Sequence, residues 1–200
     1  GGLNGIFIVF DGKAILGTRA RKIRSKSFAA FDSIGYPIAA FIDDNRIIKY
    51  LEAPVVQGEV RFAPSISDSV FLLKLIPGIR PEILAYLGQH YDIIVIESYG
   101  VGGIPFYDKR NFMNELRTLT EKGKIIVIAT QVMLEGSDAE KYEVGALALD
   151  RYNVLQSFDM TVESAVTKLM WLCAEHSDYE EIRDGFYTCI NHDLLYEPKS

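Results

Sequence analysis

Hydrophobic residues in this chain gather in short unbroken runs, set apart by turn-forming residues at close intervals. Ile6-Phe7-Ile8-Val9-Phe10 is the first run. The Asp11-Gly12 pair after it predicts a tight hairpin into a second strand over 14–19. Ile38–Ile42 and Arg46–Tyr50 flank Asp43-Asp44-Asn45 in the same manner. Further along, Val70–Ile76, residues 92–97 (Asp-Ile-Ile-Val-Ile-Glu) and Lys124–Ala129 are apolar almost throughout, the texture of strands covered on both faces. Between them the period lengthens. Arg80–Gln89 predicts a helix with Pro81 in its first turn. Residues 108–122, with Phe112, Met113, Leu116 and Leu119 on one side, predict another, closed by Gly123. Helices are also predicted over Tyr142–Arg151, Thr161–Ala174 and Asp178–Tyr187, with Thr161 or Asp159 as cap of the second. Strands alternating with helices at this spacing predict βαβ units and a parallel sheet.

Residues 52–68 break the pattern: two prolines, Gly58 and little periodicity. They predict a linker between residues 1–51 and residues 69–200. A hydrophobic fraction of 48% is ample for a packed core. A formal charge of −6 argues against a general nucleic-acid binder. No apolar run approaches the roughly 18 residues of a membrane span, and no signal-peptide pattern is visible. Cys173 and Cys189 suit a reducing, cytoplasmic setting. Cys173, following Leu169-Met170-Trp171-Leu172, reads as a core residue.

Chemistry is harder to place. His90, His176 and His192 are scattered without ligand spacing, so neither a metal nor a cofactor is expected. There is no phosphate-loop signature, and Ser98 lacks the Gly-x-Ser-x-Gly elbow. Three segments remain. Lys22 sits in a basic run with Arg19, Arg21, Arg24 and Lys26. Tyr99-Gly100-Val101-Gly102-Gly103 turns beyond the carboxyl end of an apolar strand, where α/β sheets bind ligands. Glu135–Gly145, acidic and polar, follows the next strand and could hold an ammonium group. Taken singly, Lys22 reads as a solvated lysine, the glycine turn equally well as a plain strand-to-helix connection, and the acidic loop as surface.

Read together and in order, these segments resemble the cytoplasmic-type (type I) L-asparaginases, in particular those of archaeal appearance. The resemblance is carried by Gly5–Lys13, Gly17-Thr18-Arg19-Ala20-Arg21-Lys22, Phe31–Pro37, Lys74–Gly78, Tyr99–Pro105, Thr130-Gln131, Glu135–Asp138, Tyr142–Gly145 and, most specifically, Asp159–Trp171. It implies the end of an N-terminal asparaginase α/β domain, built as hairpin strands, followed by a small flavodoxin-like parallel-sheet C-terminal domain. It also implies hydrolysis of L-asparagine to L-aspartate and ammonia by a threonine nucleophile, with a second threonine, an aspartate and a lysine completing a proton relay. Lys22 falls at the lysine position. The Thr-Gly-Gly-Thr and Gly-Thr-Asp-Thr segments that carry the other groups do not occur in these residues.

The chain is accordingly expected to be about the last three-fifths of such an enzyme, starting earlier in nature and inactive alone. The resemblance further implies that Gly102, Gly103, Tyr142 and Glu143 bind substrate in a neighbouring subunit's site. Gly103 stands where some relatives carry asparagine. The expected partners are the missing N-terminal part, a second copy in a homodimer or dimer of dimers, and a small-molecule substrate, without nucleic acid, membrane or cofactor. Two other readings stay open: a glutaminase-like subunit of a tRNA-dependent amidotransferase, and a non-catalytic metabolite-binding or assembly domain.

Overall fold

Asp11 and Gly12 both take left-handed backbone angles, φ 49° and 70°. That pair of angles matches the twist of the strands it joins, and Asp-Gly tolerates it. In the computed structural model, which describes residues 4–52, 61–107, 110–141, 152 and 154–196, the turn links β1 (Phe7–Phe10) to β2 (Lys13–Leu16). The second hairpin joins β5 (Ala40–Asp43) to β6 (Arg46–Lys49). Together they form an antiparallel sheet in the order β1-β2-β5-β6. Between β2 and β5 the chain makes a small separate hairpin, β3 (Ala20–Lys22) with β4 (Phe31–Ser33), in which Lys22 lies opposite Phe31.

The second half is a parallel sheet of β7 (Val70–Lys74), β8 (Ile93–Ser98), β9 (Ile125–Thr130) and β10 (Leu155–Gln156). These strands lie side by side in the order in which they occur along the chain. Right-handed crossovers that always advance in one direction must place their helices on one face. So α1 (Glu82–Leu87) and α2 (Phe112–Glu121) pack together on Leu73, Ile94, Ile96, Ile126 and Ile128. The alternate residues Ile93, Val95, Ile125, Val127 and Leu155 face the other way, onto α3 (Val162–Glu175) and α4 (Tyr179–Tyr187). Period-two alternation of large apolar residues on both faces is why β8 and β9 are buried from end to end. The parallel sheet covered on both sides agrees with the expected fold. No helix among the described residues is long and apolar enough to cross a membrane.

Departures from the sequence-based expectations have local causes. The helix predicted from 108 begins at Phe112, because the Asn111 side chain accepts the Met113 N–H at 3.0 Å and caps it there. The helix predicted over Arg80–Gln89 narrows to Glu82–Leu87. Thr161, rather than Asp159, caps α3, its hydroxyl accepting the Ser164 N–H at 3.1 Å. Asp178 caps α4 through the N–H groups of Glu180 and Glu181. β4 and β10, three and two residues long, are too short to leave a periodicity. Cys173 is half-buried beside the α3–α4 core rather than within it. Burial, with Asp92 nearby, pushes its thiol up to about 11. The helix expected over Tyr142–Arg151 lies outside the described residues.

Candidate functional site

An arginine in a run of basic residues is normally solvated, yet Arg19 is completely buried. Burying a guanidinium demands that its charge and donors be matched, and here they are. Nε donates to His192 O at 2.6 Å, one terminal nitrogen to Asp159 O at 2.8 Å and the other to Asp159 Oδ2 at 2.7 Å. The Tyr36 ring lies 5.6 Å from the guanidinium carbon, within cation–π range. Asp159 Oδ1 accepts in turn from Leu195 N–H at 3.0 Å and Tyr196 N–H at 3.3 Å.

Neighbouring bonds extend this joint. Thr18 Oγ1 donates to Asn191 O at 2.7 Å, and Thr161 Oγ1 donates to Thr18 O at 3.0 Å. Arg21 pairs with Glu163 at 3.2 Å. A second buried ion pair, Lys168 with Asp193 at 2.8 Å, fixes the same C-terminal segment to α3. The lysine also donates to Thr188 O at 2.6 Å. The β3–β4 hairpin, the start of α3 and residues 188–196 are thus one polar joint between the antiparallel and parallel units.

Lys22 stands three residues beyond Arg19, at the end of β3. Strand alternation sets Arg21 and Lys22 on opposite faces. Arg21 lines a polar cavity of about 440 Å³, with Thr130, Glu135, Asp138, Asp159 and Tyr196 among its walls. Lys22 does not line that cavity; it is exposed and has no ion-pair partner among the described residues. The described part of the acidic loop singled out from sequence therefore lines the same cavity as Arg21, and Lys22 does not.

The glycine turn is built for close packing. Tyr99 and Gly103 exchange backbone bonds, at 3.0 and 2.7 Å. Gly102, at φ +141°, lies so near the next loop that a Cβ would stand 2.8 Å from Ala139 Cα. Asp138 N–H donates to Val101 O at 2.6 Å, locking the two loops together. Thr130 Oγ1 donates to Gly100 O, while Gln131 Nε2 donates to Leu75 O at 2.7 Å and Glu97 O at 3.0 Å. These side chains stitch the carboxyl ends of β7, β8 and β9. Gly103 lines a different, shallower groove with Tyr99, Phe106 and Tyr107. Tyr142 and Glu143 lie outside the described residues. Among the described residues no cluster of His, Cys, Asp and Glu could hold a metal ion. Sequence reasoning missed Arg19 and Asp159 as partners; their one signal was that each sits inside a motif shared with the asparaginases.

A doubly covered parallel sheet, joined through a buried arginine to an antiparallel unit that bears an exposed lysine, defines a bipartite α/β protein. The chain belongs to the glutaminase/asparaginase family: residues 69–186 match the family model "Glutaminase/Asparaginase C-terminal domain" and residues 2–55 match "Asparaginase, N-terminal". It is 39% identical over 182 residues to the L-asparaginase of Thermococcus kodakarensis, a match that covers 91% of this chain and 55% of that protein. The solved structure of the thermostable T. kodakarensis L-asparaginase superposes with a TM-score of 0.90 at 36% identity, over 96% of this chain and 58% of that one. A glutamyl-tRNA(Gln) amidotransferase component from Methanosphaera stadtmanae is 30% identical over 185 residues, 89% of this chain and 41% of that protein. The chain thus spans little more than half the length of the asparaginases it matches.

Proposed function

We propose that these 200 residues are the lysine-bearing and C-terminal portion of an L-asparagine amidohydrolase. The observation that carries this reading is the colinear match of both asparaginase family models, joined by a 39% identical L-asparaginase relative. The residues themselves support it. Lys22 is exposed and lies three residues beyond the buried Arg19 anchor, at the end of β3. A cationic amine so placed can polarise a neighbouring threonine hydroxyl or exchange a proton with it. The nucleophilic and second threonines and the aspartate are supplied from outside these residues, and without an activated nucleophile a lysine does not cleave an amide efficiently. The chain alone is therefore inactive, and the completed enzyme releases ammonia from asparagine.

The glycine turn serves as a close-packed wall, Gly102 against Ala139, with Gly103 offering only backbone to a substrate. The assembled enzyme works as a dimer or dimer of dimers in the cytoplasm. The test is ammonia release from L-asparagine by this chain completed with the missing part, and by its Lys22→Met variant. General acid–base groups contribute roughly 10²- to 10⁴-fold, so an unchanged rate in the variant removes the lysine assignment. A second reading, part of a tRNA-dependent amidotransferase, is favoured by the match to glutamyl-tRNA(Gln) amidotransferase components. Ammonia release from glutamine that depends on a charged tRNA would select it.

A further inference from the structure

A glutamine turned into an apolar layer is out of place unless its amide is bonded. Gln156, in the two-residue strand β10, is 2% exposed. Leu155 packs toward α3 and α4, so strand alternation turns Gln156 to the other face, beside its register partner Ile128. There its Oε1 accepts the Ala139 N–H at 2.9 Å, in a bond closed to solvent. Ala139 is itself wholly buried, and it is the residue against which Gly102 packs, with room for no Cβ between them. One residue earlier, Asp138 N–H holds Val101 O. The segment after β10 grips the same loop at a second point. Phe158 takes φ 48°, an angle that is costly for a residue with a side chain. Its carbonyl accepts the Ser137 N–H at 2.7 Å, and a Cβ on Gly136 would stand 2.6 Å from that oxygen. Behind it, Gln156 N–H donates to the Tyr187 hydroxyl at 3.1 Å, which ties β10 to α4. Residues 136–139 are thus clamped between residues 156–158 and the glycine turn.

We propose that Gln156 is a positioning residue for substrate: through Ala139 it holds the glycine turn at the height from which Gly102 and Gly103 present their backbone to asparagine. This rests on the reading of the chain as part of an asparaginase in which that turn faces substrate. Gln156 lines neither the cavity beside Arg21 nor the groove at Gly103, so it acts only through the loop. Removing its oxygen leaves a buried N–H without an acceptor, and the loop and the turn loosen together. The reacting groups, Lys22 and the threonines supplied from outside these residues, sit on other segments. The effect therefore falls on KM rather than on kcat.

The test has two arms. The first follows amide hydrogen exchange by NMR in the 200-residue chain and its Gln156→Met variant, which keeps the length of the side chain and loses the acceptor. The amides of Ala139, Asp138 and Gly103 should exchange about tenfold faster, and that of Ile126, within β9, should not change. The second measures ammonia release by the chain completed with the part of T. kodakarensis L-asparaginase that has no counterpart in it. Gln156→Met should raise KM for asparagine about tenfold and leave kcat within about twofold. Gln156→Glu, which keeps an oxygen at the same place, should restore KM to within about threefold of the parent. Gln156→Asn, whose oxygen falls one carbon short of Ala139, should act as Gln156→Met does, and it secures the test if the methionine variant does not fold. Asp178→Ala, which removes the α4 cap, should lower the melting temperature and leave KM alone. Faster exchange at Ala139 without Asp138 and Gly103, an unmoved KM where all three exchange faster, a fall in kcat with KM held, or an equal rise of KM in Asp178→Ala each overturns the proposal. A completed parent that releases no ammonia refutes the asparaginase reading instead, and the exchange arm then decides by itself whether Gln156 holds the turn.

Discussion

Replacing Arg19 by Met keeps the length of the side chain and removes its charge and donors. Asp159 then faces a methyl group, retaining only the N–H groups of Leu195 and Tyr196, and the carbonyls of Asp159 and His192 lose their donors. Breaking a buried ion pair by deleting one partner costs about 3–5 kcal/mol, and the lost stacking on Tyr36 adds about 0.5–2 kcal/mol. Against a total stability of roughly 5–15 kcal/mol, this single change should shift much of the population toward unfolding. Urea denaturation followed by circular dichroism reads the loss. A cycle with Asp159→Asn should return a coupling of about 2 kcal/mol, and 1 M salt should hardly change it, because the pair is sequestered from solvent. A loss below ~1 kcal/mol for Arg19→Met, or a coupling near zero, would refute the view that this joint holds the two units together.

Gly102→Ala should destabilise the chain by about 2–4 kcal/mol, combining left-handed backbone strain with a clash on Ala139, and thermal melting would report it. The two thiols should label at very different rates. Cys189 is exposed, whereas burial holds Cys173 near 11 against an ordinary 9.0. At pH 8 that shift alone leaves Cys173 roughly 100-fold poorer in thiolate; equal rates with a thiol reagent would contradict the placement. Stability should fall as pH rises from 9 toward 12. Cys173 goes from 9.0 to about 11 on folding, and half-buried Tyr187 from 10.0 to about 12, so the unfolded chain releases these protons first. Stability unchanged across that window, in denaturant melts at fixed ionic strength, would contradict both burials.

Much of the fold could be read from local pattern because the strongest elements are locally determined. β8 and β9 are unbroken apolar runs, Asp11-Gly12 is a turn whose chemistry is its own signature, and Thr161 and Asp178 cap the helices they precede. What escaped was set by distant residues. β10 is a strand only because β9 lies beside it. Arg19 is buried because Asp159, 140 residues away, waits for it; within its own segment it is one basic residue among several. The acidic loop was legible as a wall of something, but its facing partner was not. It shares a cavity with Arg21, while Lys22, one residue on and on the opposite face of the strand, does not line it. A composition cannot express which face of a strand a cation occupies; that follows only once the register with β4 is known.

The most direct measurement is ammonia released from L-asparagine by the chain alone and by the chain supplemented with the part of T. kodakarensis L-asparaginase that has no counterpart in it. No release from the chain alone, release after completion, and a fall of at least about 100-fold for Lys22→Met are the expected results. Turnover by the 200 residues alone, or a completed enzyme indifferent to the loss of Lys22, would contradict the assignment.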